Sequence, residues 1–263
     1  MKIKFLLYLI SLLLVFGCTE KSDSLVGSDD GITESVTGNL RMGITDAWVD
    51  ISSLVIHISE IAIHKDDEWI VVDSVDHTVD LLLYNNGDVC DLLNSELEPG
   101  HYNQIRLMVD TATVVYEEQT YDLKIPSSMH TGLKLVNAFD VSAGTATSLI
   151  LDFDVSRSVH MTGGQHHRTF QMTPTIRVIE ENLSGRIRGD VSNLDTTAVA
   201  YAIAGQDTVA TSPVKNSGVF VLAFLPENDY KVVVLDDSGR IYIEDPVAVT
   251  RGQITDLGEI VLN

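Results

Sequence analysis

Three of the eight histidines of the sequence lie within eight residues of one another. His160 precedes Gly163 and Gly164, and His166 and His167 follow them. Clustered imidazoles on a glycine-containing loop are typical ligands of zinc or copper. A closed site also needs a fourth ligand and partners that orient the rings, and the spacing supplies neither. The pattern allows a metal site or an exposed polar hairpin loop, and it favours the loop.

Two carboxylates lie two positions apart in an alternating run. Asp152 and Asp154 therefore project to the same face of a predicted strand, opposite its apolar residues. Such a pair suits Ca²⁺, which takes about six to eight oxygen ligands, or a general acid and base in a hydrolase. Two carboxylates alone are too few for a calcium site. The favoured interpretation is a solvated strand face on which the carboxylates pair with Arg106 or Arg157.

Asp46 and Cys90 each have a structural explanation. Asp46 ends the first predicted strand, where it would bind a cation or, as we favour, cap the following turn through neighbouring backbone N–H groups. A catalytic thiol needs an electropositive, partly exposed setting, but Cys90 lies between Asp88 and Asp91. We therefore predict that Cys90 is a buried, inert thiol.

The remaining sequence signals weigh against catalysis. The sequence has no Gly-x-Ser-x-Gly elbow, His-Glu-x-x-His helix, phosphate-binding loop or dinucleotide fingerprint, so we expect no enzyme activity.

Four aromatic residues would line a sugar-binding surface if they were exposed, although core packing is favoured for each. They are Trp48, Trp69, Tyr84 and Tyr102.

The charge balance narrows the choice of partners. The chain carries 38 acidic and 17 basic residues, which gives a formal net charge of −21. Nucleic-acid binding needs a basic footprint, so nucleic acid is excluded, and phosphate-rich or anionic lipid surfaces are disfavoured. Cations and neutral ligands such as glycans are compatible with the negative charge as partners. The other interpretation is that the charge only increases solubility.

The first residues have the layout of a secretion signal. Lys2 and Lys4 precede an apolar run from Phe5 to Phe16, and Gly17 and Cys18 follow. The run is shorter than the roughly 20 residues that span a bilayer. The small residue before a cysteine resembles the lipobox of bacterial lipoprotein signals. That resemblance implies removal of residues 1–17 and acylation of Cys18.

The residues after the signal suggest a tether and a location. Residues 18–36 are polar and small, which predicts a flexible tether. Thr19 is not the aspartate associated with retention in the inner membrane of some bacteria, so the outer membrane is favoured.

From Gly38 onward the apolar residues repeat every two positions, which predicts strands. The alternation changes phase at Ser59–Glu60, which indicates a β-bulge, and Asp66–Asp67 predicts a turn. A helical turn or two is expected only near Leu81–Tyr84 or Val89–Leu93. The fold class is therefore all-β, with two antiparallel β-sandwich modules.

A boundary is predicted near Glu180–Asn182, where the pattern restarts with shorter strands. The module before it covers residues 37–181 and the module after it residues 182–263. About seven short strands are expected in the second module, which suits an immunoglobulin-like sandwich. They lie at Arg186–Val191, Ala198–Ile203, Val219–Leu225, Tyr230–Leu235, Ile241–Ile243, Val247–Val249 and Ile254–Leu262.

The first module resembles a known family over Gly38 to Ile179. The matching motifs are Gly38-Asn39-Leu40, Ile44-Thr45-Asp46-Ala47, Val55 to His64 with Trp69, Asp80-Leu81-Leu82 with Asn86-Gly87, Leu97-Glu98-Pro99-Gly100-His101-Tyr102 with Gln104-Ile105-Arg106-Leu107, Pro126-Ser127-Ser128 with Gly132-Leu133-Lys134-Leu135, and Leu151-Asp152-Phe153-Asp154 with Pro174. In order, they resemble the bacterial and archaeal secreted domain of unknown function numbered 4382. Trp48 stands where that family usually has proline. The resemblance implies a β-rich extracytoplasmic module and brings no established activity.

The second module resembles the carboxypeptidase regulatory-like β-sandwich. The motifs are Gly218-x-Phe220, Leu225-Pro226, Tyr230-x-Val232, Gly252 and Leu257-Gly258. That module belongs to a group of carbohydrate-binding-like folds and is an accessory domain without a zinc peptidase site. The usual glycine before the tyrosine is replaced by Asn228-Asp229.

The sequence therefore predicts a lipid-anchored envelope protein that acts as a non-enzymatic binding or structural module. Glycans are the first ligand class to test, by analogy with the second module, and an envelope protein is the other expected partner. One alternative is a cation- or metal-binding protein that uses the three histidines or the acidic strand faces. The second alternative is an unrecognised hydrolase with Asp152 and Asp154 in catalytic roles. No cofactor other than a metal ion is implied.

Overall fold

The computed structural model describes residues 36–46, 51–125, 131–164 and 167–263. Cys18, Trp48 and His166 lie outside these ranges. Among the described residues, twelve strands precede the predicted boundary: β1 Gly38–Asp46, β2 Ser53–Lys65, β3 Glu68–Asp73, β4 His77–Asp80, β5 Cys90–Leu97, β6 Gly100–Tyr116, β7 Gln119–Lys124, β8 Leu133–Val141, β9 Ala146–Phe153, β10 Val159–Thr162, β11 Thr169–Met172 and β12 Ile176–Glu180. We call this part the N-terminal region.

Seven strands follow the boundary, and we call this part the C-terminal region. They are β13 Ser184–Val191, β14 Ala198–Ala204, β15 Asp207–Pro213, β16 Val219–Pro226, β17 Asn228–Asp236, β18 Ile241–Val249 and β19 Ile254–Ile260. The helical elements of the described residues are short: 3₁₀ turns at Leu81–Leu83 and Glu181–Leu183 and one α-helical turn at Val155–Ser158. The chain is therefore an all-β sandwich protein, as the alternating pattern predicts.

The N-terminal region is built from two sheets around one core. One sheet has the order β12-β9-β1-β5, and the other has the order β10-β11-β7-β6-β2-β3 with β4 paired to β2 and β8 to β6. Alternate residues of the strands point inward, and Tyr102, Phe139 and Phe170 are the largest side chains in this core. Burial of these rings supplies much of the apolar area that holds the sheets together.

The C-terminal region has a second core between two smaller sheets, β16-β13-β19 and β15-β14-β17-β18. Phe220 and Tyr230 are its largest buried side chains. The predicted strands at Ile241–Ile243 and Val247–Val249 are parts of one strand, β18, and the sequence pattern missed β15. The regions have separate cores but pack as one compact unit that covers Ser35–Asn263.

Three of the four sheets in the described part of the chain are mixed, and only β15-β14-β17-β18 is purely antiparallel. Strand β1 runs parallel to β9, β7 to β11, and β13 to β19, while the other pairs are antiparallel. Parallel neighbours need a long crossover connection, and each of these pairs is separated along the chain by intervening strands of the same region. Local alternation of residues carries no information about such distant pairing.

Several local predictions are confirmed and one is wrong. The register between β2 and β6 shifts around Ser59, which is the expected bulge, and Asp66 and Asp67 form the turn with φ of 49° and 67°. The 3₁₀ turn begins after Asp80, whose side chain accepts a hydrogen bond from the Leu82 N–H. Val89–Leu93 is not helical, because residues from Cys90 onward pair with β1 as strand β5.

Cys90 is a free cysteine, but it is only partly buried. It is the first residue of β5, which forms an edge of its sheet, and it pairs with Ile44 at the end of β1. A side chain at the corner of a sheet has core on one side only, so the expectation of full burial is wrong.

The same tyrosine corner occurs once in each region. The Tyr102 hydroxyl donates to the Glu98 carbonyl at 2.7 Å, and the Tyr230 hydroxyl donates to the Pro226 carbonyl at 2.9 Å. Each acceptor lies four residues before the tyrosine, and each ring is buried. Burial raises the pKa of both phenols, so they stay neutral donors.

Candidate functional site

A cleft of about 470 Å³ lies between the two regions. One wall is formed by residues from the ends of β1, β9 and β12 and from the loop after the first 3₁₀ turn, and the other wall by β15 and β16. The charged side chains that line it are Asp152, Asp154, Arg157, Arg177 and Asp207. Pockets that bind small ligands have volumes of about 300–1,000 Å³, and this cleft falls within that range.

Asn86 connects the two walls of the cleft. Its Nδ2 donates to the Pro213 carbonyl at 3.0 Å, while its Oδ1 accepts from the Ser212 hydroxyl at 2.7 Å and from the Val221 N–H at 3.0 Å. All three partners belong to the C-terminal region. We call this set of bonds the Asn86 bridge, and it fixes β15 and β16 against the N-terminal loop.

The backbone at the Asn86 bridge needs a left-handed conformation. Asn86 has a φ of 57° and Gly87 a φ of 82°, a region that asparagine tolerates and glycine adopts freely. A Cβ on Gly87 would lie 3.2 Å from the Cβ of Ala223. The Asn-Gly pair therefore permits both the turn and the close approach of β16.

Asp152 forms an ion pair with Arg177 in the cleft wall. The Arg177 Nε donates to Asp152 Oδ2 at 2.9 Å, and Nη2 contacts the same oxygen. The two residues are directly opposite each other on the antiparallel strands β9 and β12. Burial raises the pKa of the Asp152 carboxyl, and the positive charge of Arg177 opposes that effect.

The partner of Asp152 thus differs from the prediction. Arg106 lies on β6 in the other sheet and bonds Glu60 at 2.8 Å instead. Arg157 is close to Asp154, with 3.6 Å between Nε and Oδ2. The cross-strand register, which the sequence does not display, selects Arg177.

Asp154 has a local role at the end of β9. Its Oδ1 accepts a hydrogen bond from the Arg157 N–H at 3.1 Å, so it caps the helical turn Val155–Ser158. Asp154 follows the last residue of β9 and is not on the strand face that was predicted. Both aspartates nevertheless line the same cleft.

Two histidines of the predicted metal site, His160 and His167, lie on an exposed hairpin. His160 is exposed on β10, opposite Gln171 of β11, and His167 is exposed in the connecting loop, whereas His166 lies outside the described residues. The described residues contain no group of three or more histidines, cysteines, aspartates or glutamates that could hold a metal ion. Asp46 is the last residue of β1, and its backbone pairs with Phe153.

The Trp69 ring is in contact with three polar side chains. The Arg106 guanidinium carbon lies 4.6 Å from the ring centroid and Lys134 Nζ lies 5.6 Å away, while the His64 ring packs edge-on at 5.0 Å. Tyr102 is fully buried and Tyr84 packs against the core. None of the three described aromatic candidates lines the cleft.

Asn86 and Arg177 are the site residues that the sequence reasoning missed. The Asn86-Gly87 pair is a turn signal that indicates the backbone conformation but not the contact across the cleft. Arg177 carries no local signal, since its position relative to Asp152 depends on the pairing of two strands 25 residues apart.

The chain has sequence similarity to one family model, described as "Domain of unknown function (DUF4382)", over residues 37–174. No curated protein gave a significant sequence match. Within the described residues, no helix has the length and apolarity needed to cross a membrane.

Several solved structures show distant likeness to the chain. The TIE protein of Bacillus anthracis is 9% identical with a TM-score of 0.24, and the match covers 87% of this chain and 51% of that protein. A fimbrial protein from Bacteroides ovatus is 6% identical with a TM-score of 0.24, over 86% of this chain and 50% of that one. A minor pilin of Streptococcus agalactiae is 10% identical with a TM-score of 0.21, over 84% and 94%. The chain thus spans about half the length of the first two proteins.

Proposed function

The chain belongs to the family described as Domain of unknown function (DUF4382), and from that premise we propose that it is a lipid-anchored, non-enzymatic binding protein of the bacterial cell envelope. Its ligand site is the cleft between the two regions, and its ligand is a carbohydrate. The observation that carries the proposal is the Asp152–Arg177 pair in the cleft wall.

The Asp152–Arg177 pair suits a hydroxyl-rich ligand. The side chain of Arg177 is 37% exposed and that of Asp152 is 14% exposed, so a carboxylate acceptor and guanidinium donors border the cleft side by side. A sugar hydroxyl can donate to the first and accept from the second. Because the pair has no net charge, it favours a neutral polar ligand over an ion.

The settings of the two aspartates favour binding over catalysis. A general acid must hold a proton that it can give to the substrate. Burial raises the pKa of Asp152 even beside Arg177, so the contacts of the carboxylates decide between the two roles. Arg177 occupies Oδ2 of Asp152, and Asp154 accepts the Arg157 N–H as the cap of a helical turn. Each carboxylate thus has a structural partner, which supports a binding role over the hydrolase alternative.

A glycan array with the purified chain tests the ligand class, and Arg177→Gln tests the site. Binding should fall at least tenfold, because the loss of one charged hydrogen-bonding group costs about 1.5–3 kcal/mol. Arg188→Gln is the matched control, since Arg188 also pairs with a strand aspartate, Asp256 at 3.1 Å, but outside the cleft.

A second cleft variant separates loss of binding from loss of folding. Thr208→Phe adds a ring to an exposed residue of the cleft wall without removing a charge, and it should also abolish binding while the melting temperature stays near that of the unaltered chain. Uniform non-binding on the array would overturn carbohydrate as the ligand. Retained binding in both variants would overturn the cleft as the site.

The membrane anchor is proposed from Cys18, which lies outside the described residues. Cys18→Ser should move the protein from the membrane fraction to the soluble fraction, and mass spectrometry of the unaltered protein should find an acylated cysteine at its N-terminus. A soluble, unacylated native protein would overturn the anchor. The preference for the outer membrane is tested by separating the two membranes.

The alternative is metal binding by His160, His166 and His167 or cation binding by Asp46, Asp152 and Asp154. A ligand that binds only the native state raises its melting temperature. Melting scans with Zn²⁺, Cu²⁺, Ca²⁺ and EDTA decide it, because an unchanged melting temperature in all four removes this alternative. A shift that His160→Ala and His167→Ala abolish would replace the carbohydrate proposal with a metal-binding one.

A further inference from the structure

The outer face of the sheet β15-β14-β17-β18 is apolar. An antiparallel sheet that covers a core on one side commonly carries polar residues on the other. Here the outward positions include Leu235, Ile241 and Ile243, which are 40%, 39% and 51% exposed. Apolar residues that form a contiguous exposed patch mark an interaction surface.

The strand register arranges this face in two rows. The paired positions, read across β15, β14, β17 and β18, are Pro213, Val199, Leu235 and Ile241 in one row and Thr211, Tyr201, Val233 and Ile243 in the next. The rows hold no acidic side chain, although the chain has 38 acidic residues. We call these eight residues the apolar face.

The opposite sheet shows that the apolar face is not a general property of the region. The half-buried and exposed positions of β13 and β19 include Arg188, Asp190, Asp256 and Glu259. These charged residues line a shallow groove of about 260 Å³. One sheet of the sandwich therefore has a polar outer surface, and the other does not.

Two opposite charges flank the apolar face along β17. Lys231, Val233, Leu235 and Asp237 alternate with inward residues of the core, and the Asp237 N–H bonds the Thr197 carbonyl at 3.0 Å beyond the last paired row. Lys231 forms no ion pair with another described residue. The outward order is thus positive, apolar, apolar, negative.

Read in one direction along β17, this order of charged and apolar residues is complementary to the same order read in the opposite direction. We propose that a second copy of this chain packs on the apolar face, with β17 of one copy antiparallel to β17 of the other. In this two-fold arrangement Lys231 faces Asp237 of the other copy twice, and Val233 faces Leu235 twice. The same residues contact each other from both sides, as a symmetric dimer requires.

The geometry of stacked sheets allows these contacts. Sheets that pack face to face lie about 10 Å apart with their strands within about 30° of each other. The flexible four-carbon stem of lysine accommodates the small displacement that this angle causes at the ends of β17. Each copy has a net charge of −21, so electrostatic repulsion opposes contacts between two copies through surfaces other than the apolar face.

The size of the surface predicts weak association. With Thr197, Ile203, Lys231 and Asp237 added, twelve outward positions at about 4.8 Å by 6.7 Å give about 400 Å² per copy. Two copies bury about 800 Å² by this measure, which is near the lower limit of specific interfaces and typical of transient ones. We therefore expect dissociation constants of about 10–100 µM.

Charge reversal tests both the partner and the register. In Lys231→Asp the two ion pairs become Asp–Asp contacts, and in Asp237→Lys they become Lys–Lys contacts, so each variant alone should self-associate at least tenfold more weakly. In an equimolar mixture of the two variants, every contact between unlike copies is again Lys–Asp. The mixture should form a heterodimer with an affinity within about threefold of the unaltered dimer.

Sedimentation equilibrium of the full chain in a non-ionic detergent, from about 5 µM to 500 µM around the expected range, measures these affinities. Leu235→Lys should abolish association, and Glu259→Lys on the polar sheet is the matched control that should leave it intact. Melting temperatures check that the outward substitutions leave the fold intact.

Three results would overturn the proposal. One is a chain that stays monomeric at every concentration, including a monomer that binds neutral lipid vesicles through the apolar face. The second is association that Leu235→Lys leaves unchanged. The third is a mixture of the charge-reversed variants that stays monomeric. Only the proposed partner and register predict that dimerisation is weakened in each variant alone and recovers in the mixture.

Discussion

The N-terminal and C-terminal regions contain the same tyrosine corner in different surroundings. In both, a leucine lies five residues before the tyrosine, and the carbonyl after that leucine accepts the hydroxyl bond. Tyr102 also stacks on Phe139, with 5.3 Å between ring centroids, and Lys65 Nζ lies 5.5 Å from the Tyr102 ring. Tyr230 instead packs among the aliphatic residues of its core.

The difference separates what a short segment determines from what the fold determines. The hydrogen bond joins residues four apart, so the local sequence determines it in both regions. The ring partner of Tyr102 comes from β8, which the pairing of β6 and β8 places opposite Tyr102. Because the local hydrogen bond is the same in both corners, a difference in the free energy that each tyrosine contributes measures the tertiary packing around its ring.

The largest effect is expected when each tyrosine ring is removed. Tyr102→Ala and Tyr230→Ala should each lower the free energy of unfolding by about 3–5 kcal/mol. The loss at Tyr102 should be greater by about 0.5–1.5 kcal/mol, because its aromatic stack is also lost. Guanidinium titrations followed by tryptophan fluorescence, from Trp48 and Trp69, and by circular dichroism measure the two losses.

The double variant Tyr102→Ala with Phe139→Ala is the control for the stack. If the stack accounts for the difference, the two losses in the N-terminal region are non-additive by that same amount. An equal loss at Tyr102 and Tyr230, with additive behaviour of the pair, would contradict the contribution of the stack.

A smaller loss of unfolding free energy is expected when the Asn86 bridge is removed, because the bridge joins the two regions rather than stabilising one. Asn86→Ala leaves the Ser212 hydroxyl, the Val221 N–H and the Pro213 carbonyl without this partner, at a cost of about 2–3 kcal/mol. Since the bonds cross the boundary, the two regions should then melt at different temperatures in calorimetry.

Asn103→Ala is the matched control for the bridge. The Asn103 side chain is also hydrogen-bonded, but its Oδ1 contacts His64 Nδ1 at 2.9 Å within the N-terminal region. This variant should leave the melting of the two regions coupled. Separate transitions in both variants, or in neither, would contradict the role of the bridge.

The sequence predicted the elements with local signals. The alternation of Leu40, Met42 and Ile44 identified β1, and the phase shift at Ser59 identified the bulge. Strand β15 was missed because Asp207–Pro213 lacks apolar alternation and its pairing with β14 stabilises it. Val89–Leu93 was wrongly given as a helix candidate because the pairing with β1 is not visible locally.

The candidate site was only half predictable for the same reason. Asp152 and Asp154 were identified as a pair because they are close in sequence, and both line the cleft. The partner Arg177 and the contacts of Asn86 depend on strand register and on the packing of the two regions. Neither leaves a periodic or spacing signal in the chain.

Loss of the tyrosine hydroxyl bond should lower the free energy of unfolding by a still smaller amount, and by the same amount in both regions. Tyr102→Phe and Tyr230→Phe each remove one bond to a carbonyl four residues earlier and keep the ring, so each should cost about 1 kcal/mol. Chemical denaturation at neutral pH compares them. A difference as large as that between the alanine variants would show that the hydrogen bond, rather than the ring packing, distinguishes the corners.

The last prediction concerns a stabilisation that is present at neutral pH and is lost in acid. Asp236 in the C-terminal region is desolvated, which raises its pKa, but bonds from Ser238 and from the Arg240 backbone and guanidinium outweigh this and lower the pKa from 3.8 to about 2. Because the folded pKa is depressed, this stabilisation is present above about pH 4 and is lost as the pH falls toward 2.

In the N-terminal region, burial likewise raises the pKa of Asp73, but bonds from His77 and from the Val75 N–H bring it below its usual value. The comparison introduces Asp236→Asn and Asp73→Asn into the Asn86→Ala variant, in which the two regions are expected to melt separately. Both melting temperatures are followed between pH 5 and pH 2, an interval of roughly the linkage range of a carboxylate. Asp236→Asn should flatten the acid loss of the C-terminal transition, and Asp73→Asn that of the N-terminal one. An acid loss in the C-terminal transition that Asp236→Asn leaves unchanged would assign the acid sensitivity of that region to other carboxylates.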